Sequence, residues 1–338
     1  MSRIRPLIAF DQSACGAGRS HAQALRDTLQ LAQACEAQGY HRFWVSEHHN
    51  NGAIVGSAPE VMLGALSVLT RHIRVGAAGV LLPFYAPFKV AEQFRVLEAL
   101  APGRIDLGLG RSPGGDPQIF SVLNPQGSSA RTGFEEKVEE LLHWLGSCAD
   151  APPAPGAHHI RALPHNPGCA QPWMLVTSVD GARTAGRLGL PMCFNYSAEQ
   201  SRGIEEQAFD AYRSTFVPGA YLACPYTALM FFALAADTNG HARYLFSSRA
   251  LWRVKLDLGI REPIEAPVTA HVHDLLKGRE ASIAQQMEIN FVGEAGEIAT
   301  RINSIAESVD VDEIGLTNWA YHLEDRIRSH QLLLSLLA

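Results

Sequence analysis

Short apolar, β-prone runs recur along this chain, and each is followed by a segment whose apolar residues fall at helical spacing. Leu7-Ile8-Ala9-Phe10 leads into Leu25, Leu29, Ala32 and Cys35, and Gly39 stops that helix. Phe43 to Val45 leads into Val61, Leu63, Leu66 and Leu69, opened by Pro59 and closed by Arg71 and His72. The run from Val75 precedes Val90, Phe94, Leu97 and Leu100, and Ile105 to Leu109 follows Pro102-Gly103. When every strand is followed by a helix, the chain returns to the same end before the next strand begins. The sheet is then parallel, with helices packed against it.

The rhythm breaks between about Ser112 and Gln171, where Pro, Gly and Ser flank one helix from Phe134 to Leu145. It resumes with Trp173 to Val176, a helix through Arg187, Pro191 to Phe194, a helix near Glu199 to Thr215, and the apolar run Thr227 to Ala236. Residues 258–290 read as a second irregular insertion with two Pro-bearing turns. A helix from Glu297, a strand at Glu313 to Leu316 and a final helix carrying Leu323, Ile327, Leu334 and Leu337 close the series. Eight strands in one βα series predict a (β/α)8 barrel, a TIM barrel of the α/β class. Its insertions, about 112–171 and 258–290, follow the fourth strand and precede the eighth. A chain of 338 residues with 47% hydrophobic composition has the size and core material for one such domain spanning 1–338.

Several function classes drop out. A net charge of -6 and the lack of any Lys/Arg run argue against nucleic acid. No apolar run approaches the length of a membrane span, and Met-Ser-Arg-Ile-Arg-Pro lacks a signal-peptide core. Cys15, Cys35, Cys148, Cys169, Cys193 and Cys224 show no pairing rhythm and no C-x-x-C, which suits reduced thiols in the cytoplasm.

The second strand ends abruptly in Glu47-His48-His49-Asn50. Burying four such groups needs a partner for each, whereas the C-terminal end of a barrel strand is where catalytic side chains stand. An imidazole titrates near neutral pH, so His48 is the candidate acid/base; the plain alternative is a histidine that hydrogen-bonds a loop. Neighbours on extended backbone point oppositely, which makes His49 a supporting residue and Glu47 the group that orients either ring. As metal ligands the trio lacks companions at other strand ends, so no metal is expected. Ala78-Gly79 ends the third strand in small residues that admit a planar ligand or, equally, tight barrel packing. Arg111 follows Gly110 at the fourth strand end, as a phosphate clamp or a surface ion pair. Gly108-Leu109-Gly110 with Gly114 imitates a dinucleotide fingerprint, but Pro113 interrupts it and the third glycine comes one place late.

These residues carry a resemblance. Phe43-Trp44-Val45-Ser46-Glu47-His48-His49-Asn50, Gly79-Val80-Leu81-Leu82-Pro83, Val90-Ala91-Glu92-Gln93-Phe94 and Pro102 through Arg111 are similar to the bacterial luciferase-like, flavin-dependent monooxygenases. Leu188-Gly189-Leu190-Pro191 and Phe291-Val292-Gly293 add weaker support, and the similarity runs nearly end to end. The resemblance implies a barrel binding reduced FMN at its C-terminal rim, reaction with O2 through a flavin hydroperoxide, a small organic substrate, and a homodimer. It implies His48 beside the flavin ring and a non-proline cis peptide between Ala78 and Gly79. Phosphate then falls to Arg111 and to the turn Thr177-Ser178-Val179-Asp180-Gly181 at a helix start. Relatives often carry Gly-Ser-Ser and a further Ser here, where this chain has Val176-Thr177-Ser178 and Gly181, and Asp180 stands at the expected cap. With no nucleotide fold of its own, the chain is expected to receive FMN already reduced by a separate flavin reductase. Two other readings stand beside this one, a non-enzymatic flavin-binding protein and an oxidoreductase using the deazaflavin F420. Phe84, Tyr85, Phe88, Tyr196, Tyr226 and Trp319 fall near strand ends and offer walls for a substrate or ordinary packing.

Overall fold

The structure is a computed structural model that describes residues 4–111, 117–125, 133–146, 160–165 and 168–337. Ser112, Pro113, Gly114 and Cys148 lie outside the described residues. The strands are β1 (Leu7–Asp11), β2 (Arg42–Val45), β3 (Arg74–Leu81), β4 (Ile105–Gly110), β5 (Gln171–Val176), β6 (Met192–Asn195), β7 (Thr227–Phe232), β8 (Leu234–Ala236), β9 (Val292–Glu294) and β10 (Glu313–Thr317). Eight of them close a parallel barrel in the order β1-β10-β7-β6-β5-β4-β3-β2. The (β/α)8 expectation therefore holds, with β10 as the eighth barrel strand.

Two segments differ from the sequence reading. The apolar run Thr227 to Ala236 is two strands, because Ala233 takes the chain out of the barrel and β8 pairs with β9 instead (Leu234↔Val292, Ala236↔Glu294). Both halves are buried, so hydrophobicity carried no sign of the break. The helix Asn239–Asp257, capped by the Thr238 hydroxyl on His241 N–H, was not anticipated. Residues 258–290 are also less irregular than expected, since they hold the helices Pro267–Ala270 and Glu280–Ile289. A short helix Pro117–Leu123 joins Phe134–Leu145 in the first insertion.

Outward-facing strand residues such as Phe43, Val75 and Leu107 pack against Leu63, Phe94 and Val138 of the helices, forming the main core. Truncating one of these aromatics to alanine costs about 3–5 kcal/mol. Inward-facing Ile8, Trp44, Trp173, Cys193, Ala228 and Met230 fill the cylinder, and Trp44 meets Trp173 edge to face at 5.2 Å. Gly76 makes room for this layer, because a Cβ there would sit 2.6 Å from Asp106 Cβ and 2.8 Å from the Trp44 ring.

Below the tryptophans, at the N-terminal end of the cylinder, the floor is ionic. Arg42 donates to both Asp106 oxygens at 2.8 and 2.9 Å, and to Glu313 at 2.8 to 3.1 Å. Arg74 binds Asp106 from the other side at 2.6 Å, and Trp44 Nε1 donates to it at 3.0 Å. Tyr226 closes the set with an O–H donated to Glu313 at 2.5 Å. Burial pushes the Asp106 carboxyl up, yet Arg42 and Arg74 overcome it and hold the group below the ordinary carboxylate range.

Candidate active site at the barrel mouth

A cavity of about 670 Å³ opens at the C-terminal end of the strands, within the size range of small-molecule sites. Its wall takes Glu47 and His48 from the end of β2, Ala78 and Gly79 from β3, and Gly110 and Arg111 from β4. Thr177, Ser178 and Gly181 come from the turn after β5. Of the three residues Glu47, His48 and His49, only His49 does not line it.

Local chemistry explains the division between the two histidines. Glu47 is buried, and its Oε1 accepts from His49 at 2.8 Å and from the Tyr85 hydroxyl at 2.5 Å, while Oε2 accepts the Leu81 N–H at 2.8 Å. That carboxylate is fully engaged and ties β2 to the end of β3. It orients His49 only, which corrects the expectation that it serves either ring. His48 Nδ1 instead meets Ser46 Oγ at 3.0 Å, and its backbone N–H donates to Gly56 O at 2.9 Å. With Nδ1 so engaged, Nε2 is the nitrogen left for the cavity. Burial, and secondarily the neighbouring His49, push His48 down to about 4, so the ring is neutral at physiological pH. The Tyr85 phenol is held well above its ordinary value by burial and by Glu47.

The Ala78–Gly79 peptide is cis. A Cβ on Gly79 would lie 2.5 Å from Leu175 Cδ1 and 2.7 Å from Gly108 O, so close packing by itself requires glycine there. Gly110 differs, because the nearest atom to a Cβ would be Leu81 Cδ2 at 3.4 Å, an ordinary contact. Its missing side chain widens the cavity rather than serving a protein neighbour.

At the turn after β5, Ser178 is the N-cap of the helix Val179–Arg187 and accepts the Gly181 N–H at 3.1 Å. Asp180 is therefore not the cap but a first-turn residue. It is exposed and faces Arg111, with their charged ends 3.5 Å apart. The pair is loose and solvent-facing, the kind that contributes little and can be exchanged for a better anion. Sequence reasoning missed Ser46, the partner of His48, and Phe10, Gln12, Cys193, Asn195 and Met230 on the far wall. Strand alternation would have found the last two, since Asn195 ends β6 and Met230 lies within β7, both at inward positions. The aromatics picked from sequence do not line the cavity; Tyr85 anchors Glu47, and Tyr226 belongs to the floor. Among the described residues, no group of three His, Cys, Asp or Glu could hold a metal ion, and no helix is long and apolar enough to cross a membrane.

Comparison with known proteins gives this geometry a family. The family model described as luciferase-like monooxygenase matches residues 7–311. The chain belongs to that family. A luciferase-like monooxygenase of Escherichia coli is 33% identical over 93% of this chain and 92% of its own. The N-acetyl-S-alkylcysteine monooxygenase of Bacillus subtilis is 33% identical over 97% and 96%. Among solved structures, apo-MsnO8 superposes with a TM-score of 0.86 at 27% identity, covering 98% of each chain. At the level of fold alone, the FMN complex of a type II Baeyer-Villiger monooxygenase from Pseudomonas putida gives 0.69 at 18% identity, covering 99% and 98%. An F420-dependent secondary alcohol dehydrogenase gives 0.66 at 14%, covering 99% and 100%.

Members of this family imply a flavin, and the residues present fit one. The cavity joins a glycine-widened wall and a neutral imidazole to a terminal guanidinium, two hydroxyls and a capped helix start, which suit a planar ring carrying an anionic tail.

Proposed function

We propose that this chain is the oxygenating component of a two-component monooxygenase, taking reduced FMN from a separate flavin reductase and acting on a small organic substrate. The observation that carries this is the convergence of His48, Ala78-Gly79, Gly110-Arg111 and Thr177-Ser178-Gly181, from four strand ends, on one cavity in a member of this family. Reduced FMN, when bound, supplies the two electrons with which O2 places one oxygen atom in the substrate and leaves the other as water. The chain's own residues do the rest. Arg111, Thr177, Ser178 and the helix start after β5 hold the phosphate, with Arg111 leaving Asp180 to do so. Gly110 and the Ala78–Gly79 edge let the ring lie against the wall. His48 Nε2 holds or passes a proton at the ring, and its low pKa keeps it a neutral donor or acceptor rather than a cation. Glu47, clamped by His49, Tyr85 and Leu81 N–H, fixes the strand end that presents His48. The closed cylinder beneath keeps bulk water from the reacting atoms.

The working unit is a homodimer on this reading. Val61 and Val68 of the helix Pro59–Leu69, with Val96 and Leu100 of the helix Pro87–Leu100, leave an apolar face exposed for a second copy. Stopped-flow mixing of reductase-generated reduced FMN with O2 tests the assignment. Slower reoxidation of the flavin in the presence of the protein is expected, and no change in rate would refute it. The fold is shared with an F420 enzyme, so titrating FMN and F420 against the apoprotein separates the two cofactors.

A further inference from the structure

We propose that Arg249 receives a carboxylate of the organic substrate, so that this monooxygenase takes anionic rather than neutral molecules. The proposal rests on the functional reading above and concerns the residues behind the Gln12 side of the mouth, at the ends of β1, β10 and β7, where Arg249 stands one side chain beyond the cavity lining.

Arg249 lies in the middle of the helix Asn239–Asp257 and is only partly exposed. Its guanidinium stands 4.2 Å from the centroid of Phe232, 4.6 Å from Trp319 and 5.7 Å from Trp252. Among the described residues no carboxylate pairs with it, and its one hydrogen bond goes to Asn290 Oδ1 at 3.3 Å. A guanidinium has five N–H donors, so most of its capacity is unspent within the protein. Burial, and then the nearby Arg253 charge, push its pKa down to about 9. The floor of the barrel shows what this fold does with a buried arginine that is purely structural: Arg42 has two carboxylates.

Position ties Arg249 to the cavity. Phe232 ends β7, Trp319 follows β10, and Gln12 follows β1, three neighbouring strands at their C-terminal ends. Gln12 is cavity wall, and its Oε1 accepts the Trp319 indole N–H at 2.9 Å. Trp319 is thus bonded directly to the wall, with the Arg249 cation lying over its ring. A second polar group on this side also lacks a partner. Thr317 is 5% exposed, and its hydroxyl makes no hydrogen bond among the described residues. Alternation along β10 puts Thr317 on the inward face with Glu313, which binds Arg42 inside the cylinder, and with Gly315, which packs on Met230 of the cavity wall. A cation lying over Phe232 and a hydroxyl on the residue paired with Phe232 in the barrel, each short of partners among the described residues, are what a carboxylate would satisfy, and the flat aromatic faces suit its planar pairing with guanidinium.

Calorimetric titration at pH 7.5 tests this on FMN-saturated protein, where the flavin covers the Arg111 site. The probes are butanoate, hexanoate and octanoate, each against its neutral amide. Wild type should bind the best acid at least about tenfold more tightly than its amide. Arg249→Gln should abolish that preference, Arg249→Lys should keep part of it, and Thr317→Val should weaken it by less. Acid and amide binding alike to wild type, no acid binding at all, or a preference that survives in a folded R249Q would overturn the proposal. If R249Q melts early by circular dichroism, the folded R249K and T317V comparisons carry the test, and unchanged preference in both would overturn it as well. The FMN titration that saturates each sample reads the cofactor assignment separately. Failure of wild type to bind FMN strikes that assignment, whereas lost acid preference with FMN binding intact in R249Q is the expected signature of the anion site.

Discussion

The two ends of the barrel treat charge in opposite ways. At the floor, Arg42 meets Asp106 and Glu313, Arg74 meets Asp106, and the Trp44 and Tyr226 donors fill what remains. At the mouth, Arg111 faces Asp180 across 3.5 Å of exposed surface, His48 keeps one ring nitrogen for the cavity, and Arg249, among the described residues, has only aromatic faces and one amide. The same kinds of side chain are saturated where they hold the fold and left short of partners where a ligand can complete them.

That contrast is broken most severely at the floor. Arg42→Met leaves the buried Glu313 without its arginine and Asp106 with Arg74 alone, and should cost about 3–5 kcal/mol, read as a lower urea midpoint. A midpoint within error of wild type would mean the floor ions are not structural. At the mouth, His48→Asn should leave the urea midpoint nearly unchanged and reduce product formation by about 10²–10⁴-fold, the usual worth of a positioned acid/base. Undiminished turnover would remove His48 from the chemistry. Asp180→Asn frees Arg111 from its loose partner and should tighten FMN by about twofold to fivefold, since exposed pairs contribute little.

A pH series sharpens the comparison with the smallest effect. His48 and the buried His330 are both depressed to about 4 from an ordinary 6.5, so the folded protein holds each ring neutral where the unfolded chain would protonate it. Their contribution to stability is complete above 6.5 and is lost progressively as pH falls toward 4. Asp106 adds a further loss below the ordinary carboxylate range. NMR of labelled histidine should show the His48 ring still neutral at pH values where free histidine is charged, and a normal titration would contradict the burial seen here.

The barrel was legible because strand and helix periods alternate so regularly before Arg111. Glu47 and His48 were legible because polar groups in succession at a strand end are costly without a purpose. What could not be read has physical causes. The Ala233 break hides in unbroken hydrophobicity, and the partition of His48 to Ser46 and His49 to Glu47 depends on rotamers. Ser178 and Asp180 are both ordinary caps, and only the helix start decides between them. Arg249 stood in a helix that the apolar pattern did not announce, and its aromatic box is assembled from residues far apart in sequence.

The account stands or falls on whether the mouth recognises a flavin through its phosphate. Equilibrium titration of reduced FMN and reduced riboflavin against the protein reads this directly. FMN should bind at least about tenfold more tightly, with Arg111→Ala bringing the two close together. Equal affinity of wild type for both, or an R111A variant that keeps the full preference, would contradict it.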